Sequence, residues 1–411
     1  MAADNNLSEL EFMQARIKNV PNGWGFSTVG KTFSIKNNLR KPINENDRNK
    51  NIGQYPYYGP TKIQGYIDTY EQDGSYVLIG EDGDHFLKFE RQSMTQLVDG
   101  KCTVNNHAHI IEGTHKATRE WFYYYFMHRD IFSFLSRQGA GRYKLNKASL
   151  EKIPILVPPV SEQKKIAQIL STWDKAITTT EKLLANSEQQ KKALMQQLLT
   201  GKKRFSEFQE AWRVKTVSDF GHVVTGNTPS KTIKKNYGDS ICWATAEDFK
   251  SKYINDTRIK LSQEGALRAR VLPAGSVLIT CIASIGKNAI ASTTLATNQQ
   301  INAVIINTEN SNEYFYYLME FHKKELIALA GTTAVPILNK ASFQKIKVSV
   351  PSFEEQRKIA SLLSTVDIQR ENLKMQLEKL CNEKKALMQQ LLTGKKRVKI
   401  QEEGNGSKRT N

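Results

Sequence analysis

Apolar residues recur along two stretches of this chain in alternating steps of four and three. In the later stretch the series is Ile359, Leu363, Val366, Leu373, Leu377, Leu380, Leu387 and Leu391, interrupted by Arg370 and Lys384. In the earlier one it is Ile166, Leu170, Trp173, Ile177, Leu184, Leu194 and Leu198, with Thr180, Ser187 and Lys191 as polar breaks. This spacing keeps one apolar stripe facing a partner helix over many turns. Pro158 and Pro351 stop the strand-like runs Ile155–Val157 and Val348–Val350 just before each stretch. Ser161 then offers an N-cap, and Glu162, Glu354 and Glu355 place carboxylates at the positive end of the helix dipole. Gly201 and Gly394 supply C-terminal stops, each followed by a cationic run. The pattern predicts helices of about 60 Å, at about 1.5 Å per residue over 161–200. The two seams are expected to lie together as an antiparallel pair, with the intervening segments at opposite ends. Homodimerisation is the competing arrangement, disfavoured because two halves of one chain meet at higher effective concentration.

The two stretches are copies of one another. Residues 148–205 recur at 341–398 at a constant offset of 193, with 30 identities in 58 positions and the unbroken block KKALMQQLLTGKKR. The segments preceding the copies are less alike. Both read as mixed α/β, with strand-like runs at Tyr76–Gly80 and Ser276–Ile282. Each ends in a helix-like aromatic stretch, Arg119–Leu135 and Asn312–Ala330, whose faces are expected to pack on a sheet. Weak echoes link them: Trp24 and Trp212 each precede a Thr-Val pair, and NNHAHII at 105–111 answers TNQQINAVI at 297–305. The expected class is α+β, with a helical segment at 1–20, mixed domains at 21–147 and 206–340, long helices in 148–205 and 341–398, and a disordered tail at 399–411.

The chain has 411 residues, room for two or three domains. A mean hydropathy of −0.51 and the lack of an apolar run of about 18–20 residues argue against a membrane span. The N-terminus is acidic before it is apolar, unlike a secretory signal. Four cysteines lie far apart without metal-ligand spacing, as expected of reduced thiols. A net charge of +18 points to a polyanionic partner, because cations gain affinity by releasing counterions condensed on phosphates. No basic cluster flanks a lipid-inserting segment, which favours nucleic acid over a membrane.

One motif points elsewhere. Gly25–Thr32 matches GxxxxGK[ST], the phosphate-cradling pattern, but it lacks a clear strand before it and a helix after it. Under the Trp24/Trp212 alignment Gly30, Lys31 and Thr32 correspond to Ser218, Asp219 and Phe220, so the pattern is absent from the second half. His107 and His109, with His115 nearby, could form a metal pair, although no carboxylate or thiol adjoins them. There is no dinucleotide fingerprint, nucleophile elbow or paired-carboxylate nuclease signature, nor the tetrad of adenine methyltransferases. The chain is expected not to be an enzyme.

PPVSEQKKIAQILSTWD at 158–174 and PSFEEQRKIASLLSTVD at 351–367 resemble the helical regions of specificity subunits from type I restriction–modification systems, as does KKALMQQLLTGKKR. PNGW at 21–24, YPYYGPTKIQGYID at 55–68, TGNTPSK at 225–231 and ATNQQIN at 296–302 resemble their target-recognition domains. The resemblance covers nearly the whole chain. It implies that each mixed domain reads one half of a bipartite, asymmetric site in double-stranded DNA, while the helix pair fixes the gap. It further implies two methylation subunits docked on the helices, restriction subunits in the full complex, and a cytoplasmic location in a bacterium or archaeon. No cofactor is expected on this chain; S-adenosylmethionine, ATP and Mg are expected on the partners. Within the domains, Lys62, Arg142, Lys144, Lys231, Lys234, Lys235 and Lys287 are candidates for phosphate contacts. Asn106, His107, Asn298, Gln299 and Gln300 are candidates for base edges or for closing buried turns. Tyr57 and Tyr58 either approach the DNA or pack under a loop. A protein-binding scaffold that does not read DNA, and a free-standing methyltransferase or NTPase, are the competing classes.

Overall fold

The computed structural model describes residue 17 and residues 19–139, 143–331 and 335–400. Four principal helices stand out: α1 (Arg119–Met127), α2 (Val160–Leu198), α3 (Asn312–Phe321) and α4 (Phe353–Leu391). The chain divides into two units. Unit 1 comprises Met1–Thr179 with Leu377–Asn411, and unit 2 comprises Thr180–Gln376. The division runs through both long helices, so each unit holds the start of one and the end of the other. The helical segment expected at 1–20 and the tail expected at 399–411 lie largely outside the described residues.

In unit 1 the strands are β1 (Gly25–Thr28), β2 (Ser34–Ile35), β3 (Ile52–Tyr58), β4 (Ile63–Ile67), β5 (Gln72–Gly80), β6 (Thr95–Val104), β7 (Ala108–Glu112), β8 (Ser136–Arg137), β9 (Tyr143–Lys144) and β10 (Pro154–Val157). Six form a sheet in the order β2-β7-β5-β6-β3-β4, while β1 pairs with β10 and β8 with β9. From Val77 to Gly80, strand β5 is buried on both faces. Val77 and Ile79 enter the core that holds Trp24, Trp121 and Tyr125 of α1, and Leu78 enters a second core with Val98, Val104 and Ile110. This is the alternation of a strand covered on both sides.

Unit 2 repeats the plan with β11 (Arg213–Thr216), β12 (Gly221–Thr225), β13 (Tyr237–Ala244), β14 (Tyr253–Ile254), β15 (Lys260–Leu261), β16 (Val271–Leu272), β17 (Val277–Thr280), β18 (Asn288–Ala291), β19 (Leu295–Thr297), β20 (Ile301–Ile306) and β21 (Lys347–Val350). A five-stranded sheet, β12-β20-β17-β18-β14, adjoins a four-stranded one, β15-β13-β19-β16, and β11 pairs with β21. Val277 and Ile279 face α3, and Leu278 faces the second core. Helix α1 stops at Met127, short of the predicted Leu135, and beyond it the Asp130 carboxylate takes the Phe132 N–H at 2.9 Å in a local turn. The stretch predicted over 312–330 is two helices, α3 and Lys323–Leu329.

The predicted antiparallel seam is present within each unit. In unit 1, Ile166, Ala167 and Leu170 of α2 share a core with Met388, Leu391 and Leu392 of α4. In unit 2, Met195, Leu198 and Leu199 share one with Ile359, Ala360 and Leu363. Val366 is also buried, and Trp173, Ile177, Leu184, Leu194, Leu373, Leu377, Leu380 and Leu387 are half-buried. The polar breaks are inside as well: Thr180, Ser187, Lys191 and Lys384 are at most 9% exposed. Lys191 lies 2.9 Å from Asp367, and its repeat partner Lys384 pairs with Asp174. Tyr317 and Tyr124 each donate to the same aspartates at 2.7 Å.

The helix starts are locked in the same way twice. Glu162 and Glu355, each 1% exposed at the side chain, accept bidentate bonds from Arg397 and Arg204. Gln163 takes the N–H of Thr118, the N-cap of α1, at 2.9 Å; Gln356 does so for Ser311, the N-cap of α3, at 3.1 Å. These glutamates therefore act through buried pairs rather than only through the dipole. Helix α2 begins at Val160, with the Gln163 N–H bonded to Pro159 O, so Ser161 sits in the first turn and is not the N-cap. Gly201 and Gly394 adopt φ of +70° and +67°, the left-handed stop expected after each helix.

Candidate nucleic-acid interface

In unit 1 four chain segments converge around the turn between β6 and β7. Asn105 closes that turn: its Oδ1 accepts the His107 N–H at 2.8 Å, its own N–H donates to Tyr58 O at 3.0 Å, and its amide nitrogen donates to Gln64 at 3.0 Å. Asn105 is buried, which leaves Asn106 and His107 exposed at the tip. The loop after β5 adds Glu81, whose N–H bonds His107 O at 2.8 Å and whose carbonyl takes the Leu145 N–H at 2.7 Å. Arg40 supports the turn from behind, donating to Asn106 O at 3.1 Å while pairing with Glu81. Lys144 reaches the same carboxylate at 3.2 Å. Burial pushes the Glu81 carboxyl up, but the bonds and charges of Arg40, His109 and Lys144 outweigh it and hold the group below the usual carboxylate range. His107 contacts Asp82 at 2.8 Å.

Unit 2 builds the same turn between β19 and β20. Asn298 Oδ1 accepts the Gln300 N–H at 3.1 Å, and the Asn298 N–H donates to Ala244 O at 3.1 Å. Asn298 stands 193 positions after Asn105, the offset of the repeat. The supporting loop is equivalent too: Cys281 N–H bonds Gln300 O at 2.7 Å, and Leu338 N–H bonds Cys281 O at 2.8 Å. Asn298 and the amide nitrogen it gives to Gln300 therefore close the turn, and Gln299 is exposed at its tip. Thr228, from the segment after β12, donates to Gln299 Oε1. Lys287 is exposed on the loop after β17 and reaches Ala246 O at 3.4 Å. Lys231, Lys234 and Lys235 are exposed on the segment that follows Thr228.

The remaining candidates separate by burial. Tyr57 is 2% exposed, its hydroxyl accepts the Ile43 N–H at 2.9 Å, and its ring lies under Arg48. It is a packing residue without access to a base. Tyr58 is half-buried, and burial raises its phenol pKa. Lys62 is exposed in the β3–β4 turn, where its carbonyl takes the Gly59 N–H at 2.9 Å. Arg142 lies outside the described residues. Arg40, Glu81, Asp82, Thr228, Arg268 and Arg270 were not anticipated. Arg270 donates to Thr225 O at 2.6 Å and Arg268 to Asn236 at 3.0 Å, fixing the segment beside Gln299. The repeat offset carried back to Asn105 and Asn298 was the available signal for the turn.

Two other leads resolve differently. His109 is buried, with Nε2 2.6 Å from Leu145 O and Nδ1 2.8 Å from the Asn37 amide, so both ring nitrogens are engaged away from His107. Burial lowers its pKa. Among the described residues no group of three His, Cys, Asp or Glu could hold a metal, and no helix is long and apolar enough to cross a membrane. In the GxxxxGK[ST] stretch, β1 pairs among the described residues only with β10, and the following helix is Val29–Thr32, four residues long. A Cβ at Gly30 would meet Glu151, so no open cradle surrounds it. The Val29 and Val217 N–H groups bond Ile153 O and Ile346 O at 3.0 Å each, which aligns the stretch with 217–220 as the sequence suggested.

Comparison with known proteins agrees with this two-fold plan. The Type I restriction modification DNA specificity domain matches the chain twice, over residues 21–189 and 209–381. A Haemophilus influenzae protein named as a type I restriction enzyme specificity subunit is 30% identical over 335 residues, 80% of this chain and 84% of that one. The type I restriction enzyme MjaVIII specificity subunit of Methanocaldococcus jannaschii is 25% identical over 420 residues, 95% of this chain and 97% of that one. The crystal structure of a type I restriction–modification S subunit from M. genitalium shares the fold, with a TM-score of 0.65 and 16% identity, covering 91% of this chain and 97% of that one.

Proposed function

The chain belongs to the family of type I restriction–modification DNA specificity proteins, and from that membership we propose that it selects the DNA sequence on which a methylation and restriction complex acts. Each unit reads one half of a bipartite, asymmetric site through the turn at 105–107 or 298–300, with exposed lysines on neighbouring loops holding phosphates. The long helices fix the separation of the two half-sites. They also dock two methylation subunits, for which exposed Leu183, Ile368 and Met375 offer apolar anchors. Restriction subunits join the complex when unmodified DNA is cut. S-adenosylmethionine, ATP and Mg bind those partners, this chain supplies no reacting group, and the assembly works in the cytoplasm. The observation that carries the reading is the duplicated specificity domain, with one polar turn in each copy closed by an asparagine Oδ1 that accepts the N–H two residues on.

The test is to co-express the chain with a methylation subunit and map modified adenines across the host genome. A split, asymmetric motif with a fixed unread gap is the expected result. An uninterrupted palindrome would overturn the assignment of one half-site to each unit. No modification, with the methylation subunit active beside another specificity subunit, would return the protein-scaffold reading.

A further inference from the structure

The proposed reading leaves open which side chains distinguish one base from another, and hydrogen bonding within the two turns narrows the choice. Asn105 and Asn298 are buried at 3% and 8% exposure, and both spend their carboxamide oxygens on closing the turn. His107 is held by Asp82, and the Gln300 side-chain oxygen accepts from Asn298. The fully exposed carboxamide at each tip is Asn106 in unit 1 and Gln299 in unit 2. These two positions are 193 apart, so the fold places the same functional group at the same point of both units.

The chemistry of that group is directional. A carboxamide offers one acceptor and two donors in a plane, which matches the N6–H donor and N7 acceptor of adenine in the major groove. Among the described residues the Asn106 carboxamide has no hydrogen-bond partner, while its backbone is fixed by Arg40. Thr228 occupies one lone pair of Gln299 Oε1, which leaves the second lone pair and the amide protons for a base. Because Asn105 and Arg40, or Asn298 and Thr228, restrain each tip, little ordering remains to be done on binding.

We infer that Asn106 and Gln299 are specificity-determining residues, each reading an adenine through its carboxamide in the half-site of its own unit. This rests on the proposed reading of DNA by the two units. The test uses the chain assembled with its methylation subunits, as wild type, Asn106→Ala and Gln299→Ala. Competition binding is measured against duplexes in which every position of the mapped motif carries each base pair in turn. Asn106→Ala lowers the preference for A·T at one position of one half-site by roughly 5- to 150-fold, the discrimination of a bidentate base contact, and leaves the other half-site unchanged. Gln299→Ala does the same in the other half only. Unchanged profiles, a uniform loss at all positions, or two variants altering the same half would each overturn the inference. A wild-type complex that yields no split motif would instead overturn the two-unit reading beneath it.

Discussion

The Glu162 carboxylate accepts a bond from Trp24 Nε1 at 3.0 Å as well as the bidentate pair from Arg397. A buried carboxylate deprived of its cation keeps its desolvation cost and loses the compensating attraction. Arg397→Ala is therefore expected to destabilise unit 1 by about 3 kcal/mol, read as a lower urea midpoint for the tryptophan fluorescence transition. An unchanged midpoint would place the pair among exposed, weak ones. His85 in the same unit is expected to contribute to acid sensitivity. Its ring is 3% exposed, its Nε2 has no partner among the described residues, and burial lowers its pKa from 6.5 to about 4. The unfolded chain thus takes up the proton first. The stability that His85 contributes is complete above about pH 6.5 and is lost as pH falls toward 4. An acid titration of unfolding should show this slope in the native chain and not in His85→Phe.

On each long helix a lysine occupies a seam position and finds its aspartate on the other helix. Burial raises the Asp367 carboxyl, but the bond and charge of Lys191, with Tyr317 and Arg370, hold it below its ordinary value. Lys191→Met leaves that carboxylate buried with less compensation and is expected to cost unit 2 about 3–5 kcal/mol. Adding Asp367→Asn should recover part of the loss; a double variant no more stable than the single one would show that the two residues do not act as a pair. The helices themselves were legible in the sequence, since period, proline stops and glycine ends all act locally. Lys191 and Lys384 read only as interruptions, because Asp367 and Asp174 lie far along the chain. The sheet orders were not legible either: β5 meets β6 and β7 across long connections, and no short-range pattern encodes that pairing. For the candidate interface, the tip residues could be named from the echo between 105–111 and 297–305. Arg40, Arg268 and Arg270 could not, because their roles come from folding distant loops against the turns.

At the scale of the whole molecule, a net charge of +18 and the exposed lysines of both units make the proposed DNA affinity depend on salt. With about 6–10 phosphate contacts, affinity should fall about 10³- to 10⁵-fold between 50 and 200 mM salt, measured by fluorescence anisotropy. A flat dependence would favour the scaffold reading. The division of the chain through its long helices has a separate consequence, for synthesis. Unit 2 is one continuous stretch, 180–376, whereas unit 1 needs residues from 377 onward to finish its core. A nascent chain leaving the ribosome can therefore complete its second half while its first half still shows the surface that Met388, Leu391 and Leu392 will cover. The unit that begins first closes last, and a product cut short near residue 376 carries an open hydrophobic face by which the cell's folding surveillance can recognise it.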